Sequence, residues 1–257
     1  SPDGTVTVAV GVKANRPYYT VRYRSQTIVK PSYLGFILSD GLLGDDMKTA
    51  GYRTASKDET WFERWGEEDS VRNHYNELTV QFEERKAKRR NMSVVFRVFN
   101  DGVGFRYILP RKEGEKYCIQ EELTEIALAH DARAWSIPTN RTEYFEGIYT
   151  RDLLSRKDTV CTPLTIEFED SLYLAIHEAA LEDYASLNIA PRLTSEGDVE
   201  SAVCLRTALT PWQNGVKVYC EGETKTPWRT IIIGRTAGDL ITSRLMLNLN
   251  EPSRIED

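Results

Sequence analysis

The dominant pattern along the chain is alternation of apolar and polar positions. Valines occupy every second position from 6 to 12, with small or polar residues between them. Because successive side chains of a strand point to opposite faces, this spacing puts all four valines on one face. The alternation returns at 19–23, after a predicted turn at Asn15-Arg16-Pro17.

The clearest unit is a three-stranded meander between residues 76 and 109. Three alternating runs lie in this stretch, and Asn100-Asp101-Gly102 separates the last two. Asp-Gly between alternating runs predicts a type I′ hairpin turn, which requires positive φ at both central residues. We therefore predict that 92–99 pairs with 103–109.

The second half of the chain continues in short alternating runs. They predict strands at 163–168, 171–178, 199–208, 216–221, 228–233 and 240–249. Only 66–75 and 179–185 have the character of short helical turns. Many short strands separated by turn signals indicate a sandwich or barrel rather than a βαβ fold. With no linker-like segment in the chain, we predict an all-β fold, one large antiparallel β-sandwich over residues 1–257.

Charge argues against two classes of partner. The net charge of −6 and the pI near 5.3 disfavour binding to nucleic acid or to an anionic membrane surface. No apolar run approaches the ~20 residues that a membrane-spanning helix needs. The basic cluster at 85–90 follows Glu83-Glu84 and contains no aromatic residue, so it is interpreted as a solvated hairpin loop.

Four cysteines stand at 118, 161, 204 and 220. They form no CxxC pair and no Cys/His cluster, which argues against a zinc site. Cys204 and Cys220 flank a predicted hairpin and could form a disulfide. Free thiols are the favoured interpretation.

Two polar segments are unusual for a plain sandwich. The stretch from Asp58 to Leu78 mixes tryptophans, tyrosine, carboxylates and amides. It could form a sugar-stacking surface, although a buried polar network at the sandwich end is favoured. His177-Glu178 could suggest an acid–base pair. Adjacent residues of a strand face opposite ways, so a core-facing or hydrogen-bonded histidine is favoured instead.

A third segment, 140–146, carries Glu143 and Glu146 on a predicted loop. Carboxylates suit calcium, but calcium takes six to eight oxygen ligands, and two carboxylates are too few for a complete site. From the residues alone, both are interpreted as surface groups. No GxSxG, Walker or GxGxxG pattern supports serine-nucleophile or nucleotide chemistry.

A set of ordered motifs resembles one known family, glycoside hydrolase family 97, whose best-known members are starch-utilisation α-glucosidases. The motifs are Asp58-Glu59-Thr60-Trp61, Trp65-Gly66-Glu67, Arg72-Asn73-His74-Tyr75-Asn76-Glu77-Leu78, Phe96-Arg97-Val98-Phe99-Asn100-Asp101-Gly102, Gly104-Phe105-Arg106-Tyr107, His177-Glu178-Ala179-Ala180-Leu181, Thr226-Pro227-Trp228-Arg229-Thr230-Ile231 and Leu247-Asn248-Leu249-Asn250-Glu251-Pro252. They extend over almost the whole chain.

The resemblance implies a large β-sandwich related to galactose mutarotase-like folds. In the family this domain precedes a catalytic (β/α)₈ barrel, which carries the catalytic carboxylates and most calcium ligands. Such a barrel needs ~250 residues of its own, so we expect this chain to be the non-catalytic N-terminal domain. The expected partners are the barrel in cis and an oligosaccharide, an α-glucoside or an α-galactoside. The expected location is periplasmic or secreted.

The resemblance also assigns candidate site residues. A glutamate followed by tyrosine reaches the active site and binds calcium in the family, and here that position is Glu143. A substrate-contacting loop precedes the Thr162-Pro163 pair, which makes Lys157, Asp158 and Thr159 candidate substrate contacts. These three residues depart from the family pattern, and the loop is shorter.

Two other functions are compatible with the pattern. A freestanding carbohydrate-binding module would need its own aromatic platform. A mutarotase-like epimerase would need an acid and a base that converge in one cleft, and three histidines dispersed along the sequence do not favour it.

Because the expected catalytic carboxylates lie outside this chain, we predict that the 257-residue protein does not hydrolyse nitrophenyl α-glucosides or α-galactosides. A release assay against a heat-inactivated control measures this. Turnover well above that control would contradict the assignment as a non-catalytic domain.

Overall fold

The computed structural model describes residues 1–63, 66–86, 88–139, 146–193 and 203–252. Twenty-one strands lie in these ranges: β1 Val6–Lys13, β2 Arg16–Tyr23, β3 Gln26–Tyr33, β4 Phe36–Leu38, β5 Gly41–Leu43, β6 Met47–Phe62, β7 Ser70–Glu84, β8 Asn91–Phe99, β9 Gly102–Leu109, β10 Lys116–Glu122, β11 Glu125–Ala127, β12 Arg133–Ser136, β13 Thr150–Leu153, β14 Val160–Cys161, β15 Leu164–Glu167, β16 Tyr173–Ala179, β17 Leu187–Leu193, β18 Val203–Leu209, β19 Val218–Glu221, β20 Thr224–Lys225 and β21 Trp228–Gly234. The described helices are α1 Ala237–Thr242, α2 Leu245–Leu249 and a 3₁₀ turn at Leu154–Arg156. Neither α-helix is long or apolar enough to cross a membrane.

The described strands form four sheets, and the pairings between them are antiparallel. The largest has ten strands in the order β13-β12-β15-β16-β21-β9-β8-β7-β6, with β20 pairing to β9. Three smaller sheets have the orders β1-β2-β3, β19-β10-β4-β5 and β11-β18-β17-β14. The prediction of an all-β antiparallel sandwich is confirmed.

A single apolar core joins the ten-stranded sheet to the three smaller sheets. Aromatic rings mark the contact. The Tyr19 ring of β2 lies 4.9 Å from the Phe105 ring of β9, and the Phe36 ring of β4 lies 4.7 Å from the Tyr107 ring. Val6 is buried, and the other alternating valines of β1 pack against the same core, as predicted. The smaller sheets therefore cover one face of the large sheet.

The predicted pairing of 92–99 with 103–109 is confirmed, but the turn differs from the prediction. Phe99 pairs with Gly102, so Asn100 and Asp101 are the central turn residues. Neither is among the described residues with positive φ, whereas Gly102 has φ +153°. The hairpin therefore does not use a type I′ turn, and the glycine lies at the first position of β9.

The predicted strand at 240–249 is wrong, because this segment contains the end of α1 and the whole of α2. Thr236 and Asp239 form a capping box at the start of α1. In α2, Leu245 and Leu249 are four residues apart and pack on the outer face of the large sheet. Gly104 of β9 makes room for Leu249, because a Cβ there would collide with the leucine side chain. Leucines at 245, 247 and 249 imitate a strand pattern, and packing selects the helix.

The two predicted helical turns are also wrong. Ser70 begins β7, so much of 66–75 is strand. Between β16 and β17, Ala180 and Asp183 have φ of +52° and +46°. These left-handed residues are incompatible with a right-handed helical turn at 179–185.

The polar stretch from Asp58 to Leu78 lies largely in the β6–β7 hairpin. Arg72 forms a two-point ion pair with Asp58 at 2.8 Å, and both side chains are half-exposed. The Trp61 indole donates to Asn248 Oδ1 of α2 at 2.9 Å. The described part of the segment is a largely exposed polar network that fastens α2 to the hairpin.

The basic cluster is mostly exposed, with one exception. Arg90 has a nearly buried side chain that pairs with Glu84 at 2.6 Å and with Asp40 at 2.8 Å. Lys88 donates to the Asp40 carbonyl oxygen. The solvated-loop interpretation therefore fails for Arg90, which fastens the β7–β8 loop to the β4–β5 hairpin.

Arg229 of β21 is buried between two carboxylates. Its guanidinium donates two hydrogen bonds to Glu122 of β10, at 2.9 and 2.6 Å, and one to Glu178 of β16, at 2.7 Å. Burial disfavours its charged form, but the carboxylates outweigh this effect and raise the pKa of Arg229. Glu122 also accepts from Thr124 and Tyr184. This network, the Arg229 cluster, links the ten-stranded sheet to the facing layer.

All four cysteines are free thiols. Cys204 lies in β18 and Cys220 in β19, which belong to different sheets, so they do not flank a hairpin. Burial raises the pKa of Cys204 to about 11. The favoured interpretation of free thiols agrees with the structure.

We expect Arg229→Met to lower the free energy of unfolding by about 3–5 kcal/mol, because it leaves two buried carboxylates without their cation. Urea denaturation measures the change. Arg72→Met is the matched control, since it breaks an exposed pair and should have a much smaller effect.

The triple variant Arg229→Met, Glu122→Gln, Glu178→Gln should have a higher free energy of unfolding than Arg229→Met alone. The reason is that no uncompensated buried charge then remains. Equal unfolding midpoints for wild type and Arg229→Met would contradict the role given to the Arg229 cluster.

Candidate functional site

The chain crosses from the ten-stranded sheet to the facing layer at one edge of the sandwich. Thr139 N–H donates to the Thr159 carbonyl oxygen at 3.0 Å, and Cys161 N–H donates to that of Ile137 at 2.9 Å. These bonds hold 137–139 beside 159–161. The loop with the candidate substrate contacts therefore lies next to the point where the chain continues from Thr139. We call these segments, 137–139 and 157–162, the edge loops.

Glu143, the predicted calcium ligand, lies outside the described residues, and its role stays a prediction. Thr139 and Glu146 are the nearest described residues on either side. Across the described ranges, no group of three or more His, Cys, Asp or Glu residues is arranged to hold a metal ion.

Lys157 links the edge loops to β13 by hydrogen bonds. Its ammonium donates to the carbonyl oxygen of Thr150 at 3.1 Å and to the hydroxyl of Thr150 at 3.0 Å. Partial burial lowers the pKa of Lys157, while Asp152 opposes this shift. Because the Lys157 head group is committed to β13, its main role is to hold the loop in shape.

Asp158 and Thr159 are better suited to contact a ligand. Asp158 is exposed, and its Oδ1 accepts from the Thr159 backbone N–H at 2.7 Å. This bond sets the loop conformation and leaves Oδ2 available. A carboxylate oxygen and a hydroxyl are groups that hydrogen-bond sugar hydroxyls. Of the three candidate contacts, the structure favours these two.

His177 of β16 is hydrogen-bonded to Thr162 of the edge loops. Its Nδ1 lies 2.9 Å from the Thr162 hydroxyl, which donates to the Leu187 carbonyl oxygen at 3.0 Å. Since the hydroxyl proton is used on Leu187, His177 Nδ1–H must be the donor to Thr162. Burial lowers the pKa of His177. Glu178 faces the other way, towards Arg229, so the two residues form no acid–base pair.

An exposed apolar rim borders the edge loops. Ile148 is 88% exposed and Tyr149 55% exposed, directly before β13. Trp135 of β12 is 44% exposed and lies under the Arg151 guanidinium, 5.4 Å away. Clustered exposed apolar side chains mark surfaces that contact a partner or ligand. Sequence patterns did not single out these three residues, because exposure depends on where the strands end.

A known protein family matches this chain over almost its whole length. The family described as Glycosyl-hydrolase 97 N-terminal matches residues 1–252. Among curated proteins, a retaining alpha-galactosidase of Bacteroides thetaiotaomicron is 26% identical over 280 residues, covering 100% of this chain and 41% of that protein. A probable retaining alpha-galactosidase of Streptomyces bingchenggensis is 24% identical, covering 90% of this chain and 34% of that protein.

Solved structures give the same picture. A glycoside hydrolase family 97 enzyme from Pseudoalteromonas sp. strain K8, in complex with acarbose, matches with a TM-score of 0.90 and 36% identity, covering 100% of this chain and 38% of that one. The same enzyme has been solved with panose as an E480Q variant. A beta-arabinopyranosidase matches with a TM-score of 0.77 at 23% identity, covering 92% of this chain and 40% of that one, which indicates a shared fold alone. The chain spans about two fifths of these relatives.

The partly buried His177 should make stability depend on pH. The folded imidazole is harder to protonate than the unfolded one, so the free energy of unfolding should fall as the pH drops below about 6.5. NMR titration of His177 Hε1, with urea unfolding at several pH values, measures this.

In His177→Gln, this part of the pH dependence should disappear. A His177 titration midpoint at or above 6.5 would contradict the assignment of a partly buried imidazole with a lowered pKa.

Proposed function

Because the chain belongs to glycoside hydrolase family 97, as its N-terminal domain, we propose that its edge loops border the active-site pocket of an α-glycosidase. In this proposal a catalytic barrel on the same polypeptide supplies the reacting carboxylates. The observation that carries it is the hydrogen-bonded pairing of 137–139 with 159–161, which places Thr139, the last described residue before Glu143, beside the loop with the candidate substrate contacts. The exposed rim of Trp135, Ile148 and Tyr149 is suited to contact with a further domain.

We also propose that Glu143 contributes one calcium ligand. A single carboxylate supplies one or two of the six to eight oxygens that calcium takes, so the remaining ligands would come from the barrel. When bound, calcium would supply positive charge beside the reacting groups. On this proposal the isolated domain binds calcium weakly, and affinity appears only when both domains contribute.

The substrate class that we favour is an α-glucoside. The 36% identity is to an enzyme solved with acarbose and panose, both of which contain α-linked glucose units, whereas the retaining alpha-galactosidase is 26% identical. Asp158 and Thr159 would hydrogen-bond sugar hydroxyls at the pocket rim. An oligosaccharide substrate also agrees with a periplasmic or secreted location, which stays a prediction.

The epimerase alternative has little support. It requires an acid and a base in one cleft, but the His177 ring is bonded to Thr162 and Glu178 is paired with Arg229. A carbohydrate-binding function in its own right has a separate structural basis, described below.

In the full-length enzyme, Glu143→Gln should lower calcium affinity and glycosidase activity together, because an amide is a weaker calcium ligand than a carboxylate. Calorimetric titration with calcium and an assay on nitrophenyl α-glucoside measure the two effects. Glu146→Gln, three residues away and exposed, is the matched control.

Urea unfolding of Glu143→Gln should match that of wild type, since the proposed role is in binding rather than in folding. Equal calcium affinities for wild type and Glu143→Gln would end the proposal for this residue.

A further inference from the structure

A cleft of about 340 Å³ lies between the loops that join β16 to β17 and β18 to β19. Trp212 and Tyr219 form one side of it, with exposed fractions of 63% and 53%. Their ring centroids are 6.2 Å apart and their planes meet at 61°, so the exposed ring faces form a bent wall. Two large aromatic side chains beside one cleft are unusual unless something packs on them.

The loop that carries Trp212 is held in place by its own hydrogen bonds. The Trp212 backbone N–H donates to the Val216 carbonyl oxygen at 2.8 Å. The Gly215 backbone N–H donates to the Trp212 carbonyl oxygen, also at 2.8 Å. Asn214 donates to the Tyr219 hydroxyl at 2.6 Å. Because the loop backbone and the Tyr219 ring are held in place before any ligand arrives, less conformational entropy is lost on binding.

The floor of the cleft is equally well supported. Tyr184 lines it, and the Tyr184 hydroxyl donates to Glu122 of the Arg229 cluster at 3.2 Å. Ser186 and Thr210, on the two loops, share a hydroxyl–hydroxyl hydrogen bond of 2.8 Å. The cleft is therefore built on a rigid element, as a preformed binding site requires.

Polar groups remain available around the wall. Among the described residues, neither the exposed Asp183 carboxylate nor the Trp212 indole N–H has a hydrogen-bond partner. Lys217 also lines the cleft and lies 3.7 Å from Glu121. With that pair neutralised and Asp183 unpaired, the site carries net negative charge, which disfavours phosphate and nucleic acid.

We propose that this cleft binds a neutral oligosaccharide. The apolar C–H face of a pyranose packs on an aromatic ring, while its hydroxyls donate to carboxylates and accept from an indole N–H. An α-linked glucose chain curves, so consecutive sugars can meet the two inclined rings. The proposal uses the carbohydrate chemistry of the family, but not Glu143 or calcium, so either proposal can fail while the other stands.

The test is an NMR titration of the 257-residue chain with panose, following the Trp212 indole N–H signal and the backbone amide signals of Gly215 and Tyr219, which remain in every variant. We expect saturable shifts with a dissociation constant on the order of 1 mM, a weak affinity that suits an open cleft with two largely exposed rings. Trp212→Ala should weaken binding at least about tenfold. Asp183→Asn should weaken binding less, because an amide oxygen still accepts.

Tyr52→Ala is the matched control: it removes another exposed aromatic side chain, on β6, and should leave the panose affinity within about twofold. Trp212→Phe retains a stacking face and should keep most of the affinity. Because Trp212 is exposed, these variants should fold, which circular dichroism checks. No saturable shift at Trp212 up to about 20 mM panose, twenty times the expected constant, would overturn the proposal. Unchanged affinity in Trp212→Ala would do the same.

Discussion

The structure depends on a positive charge buried between two negative ones. Arg229 is shared by Glu122 and Glu178, and through them it joins strands from both layers of the sandwich. Such a group is costly to bury and tolerable only when its hydrogen bonds are made. Here three guanidinium bonds, the Tyr184 hydroxyl and the Leu187 amide complete the set. The pairing therefore specifies how the layers meet, in addition to the unspecific attraction of the apolar core.

Leu187 connects the Arg229 cluster to the edge loops at the surface. Its N–H donates to Glu178 at 2.8 Å, and its carbonyl oxygen accepts from Thr162, which His177 also holds. The start of β17 is thus tied both to the Arg229 cluster and to the edge loops. The loop before β17, which lines the Trp212 cleft, depends on the same anchor. Both proposed binding regions rest on one buried support.

This arrangement suits a domain that positions groups for chemistry performed elsewhere. Arg229 is paired with Glu122 and Glu178, His177 is committed to a hydrogen bond, and the four thiols are free and mostly buried. What it offers to partners lies at the ends of strands: a free carboxylate oxygen on Asp158, an apolar rim and an aromatic cleft. A rigid sandwich can hold such groups in place without itself forming a complete catalytic set.

The alternation of apolar residues by itself determined the all-β class, the β8–β9 hairpin and the buried face of β1, because a strand's period of two needs no tertiary information. Ordered motifs also indicated the family. Alternation failed at 245–249, where leucines fit a strand and a short helix equally well and the space over Gly104 selects the helix. Only the tertiary structure decided that Arg229 meets two carboxylates distant in sequence, and that Trp212 and Tyr219 border one cleft. These are contacts between separate strands and loops, and their geometry depends on how the sheets are ordered and packed, which local spacing does not encode.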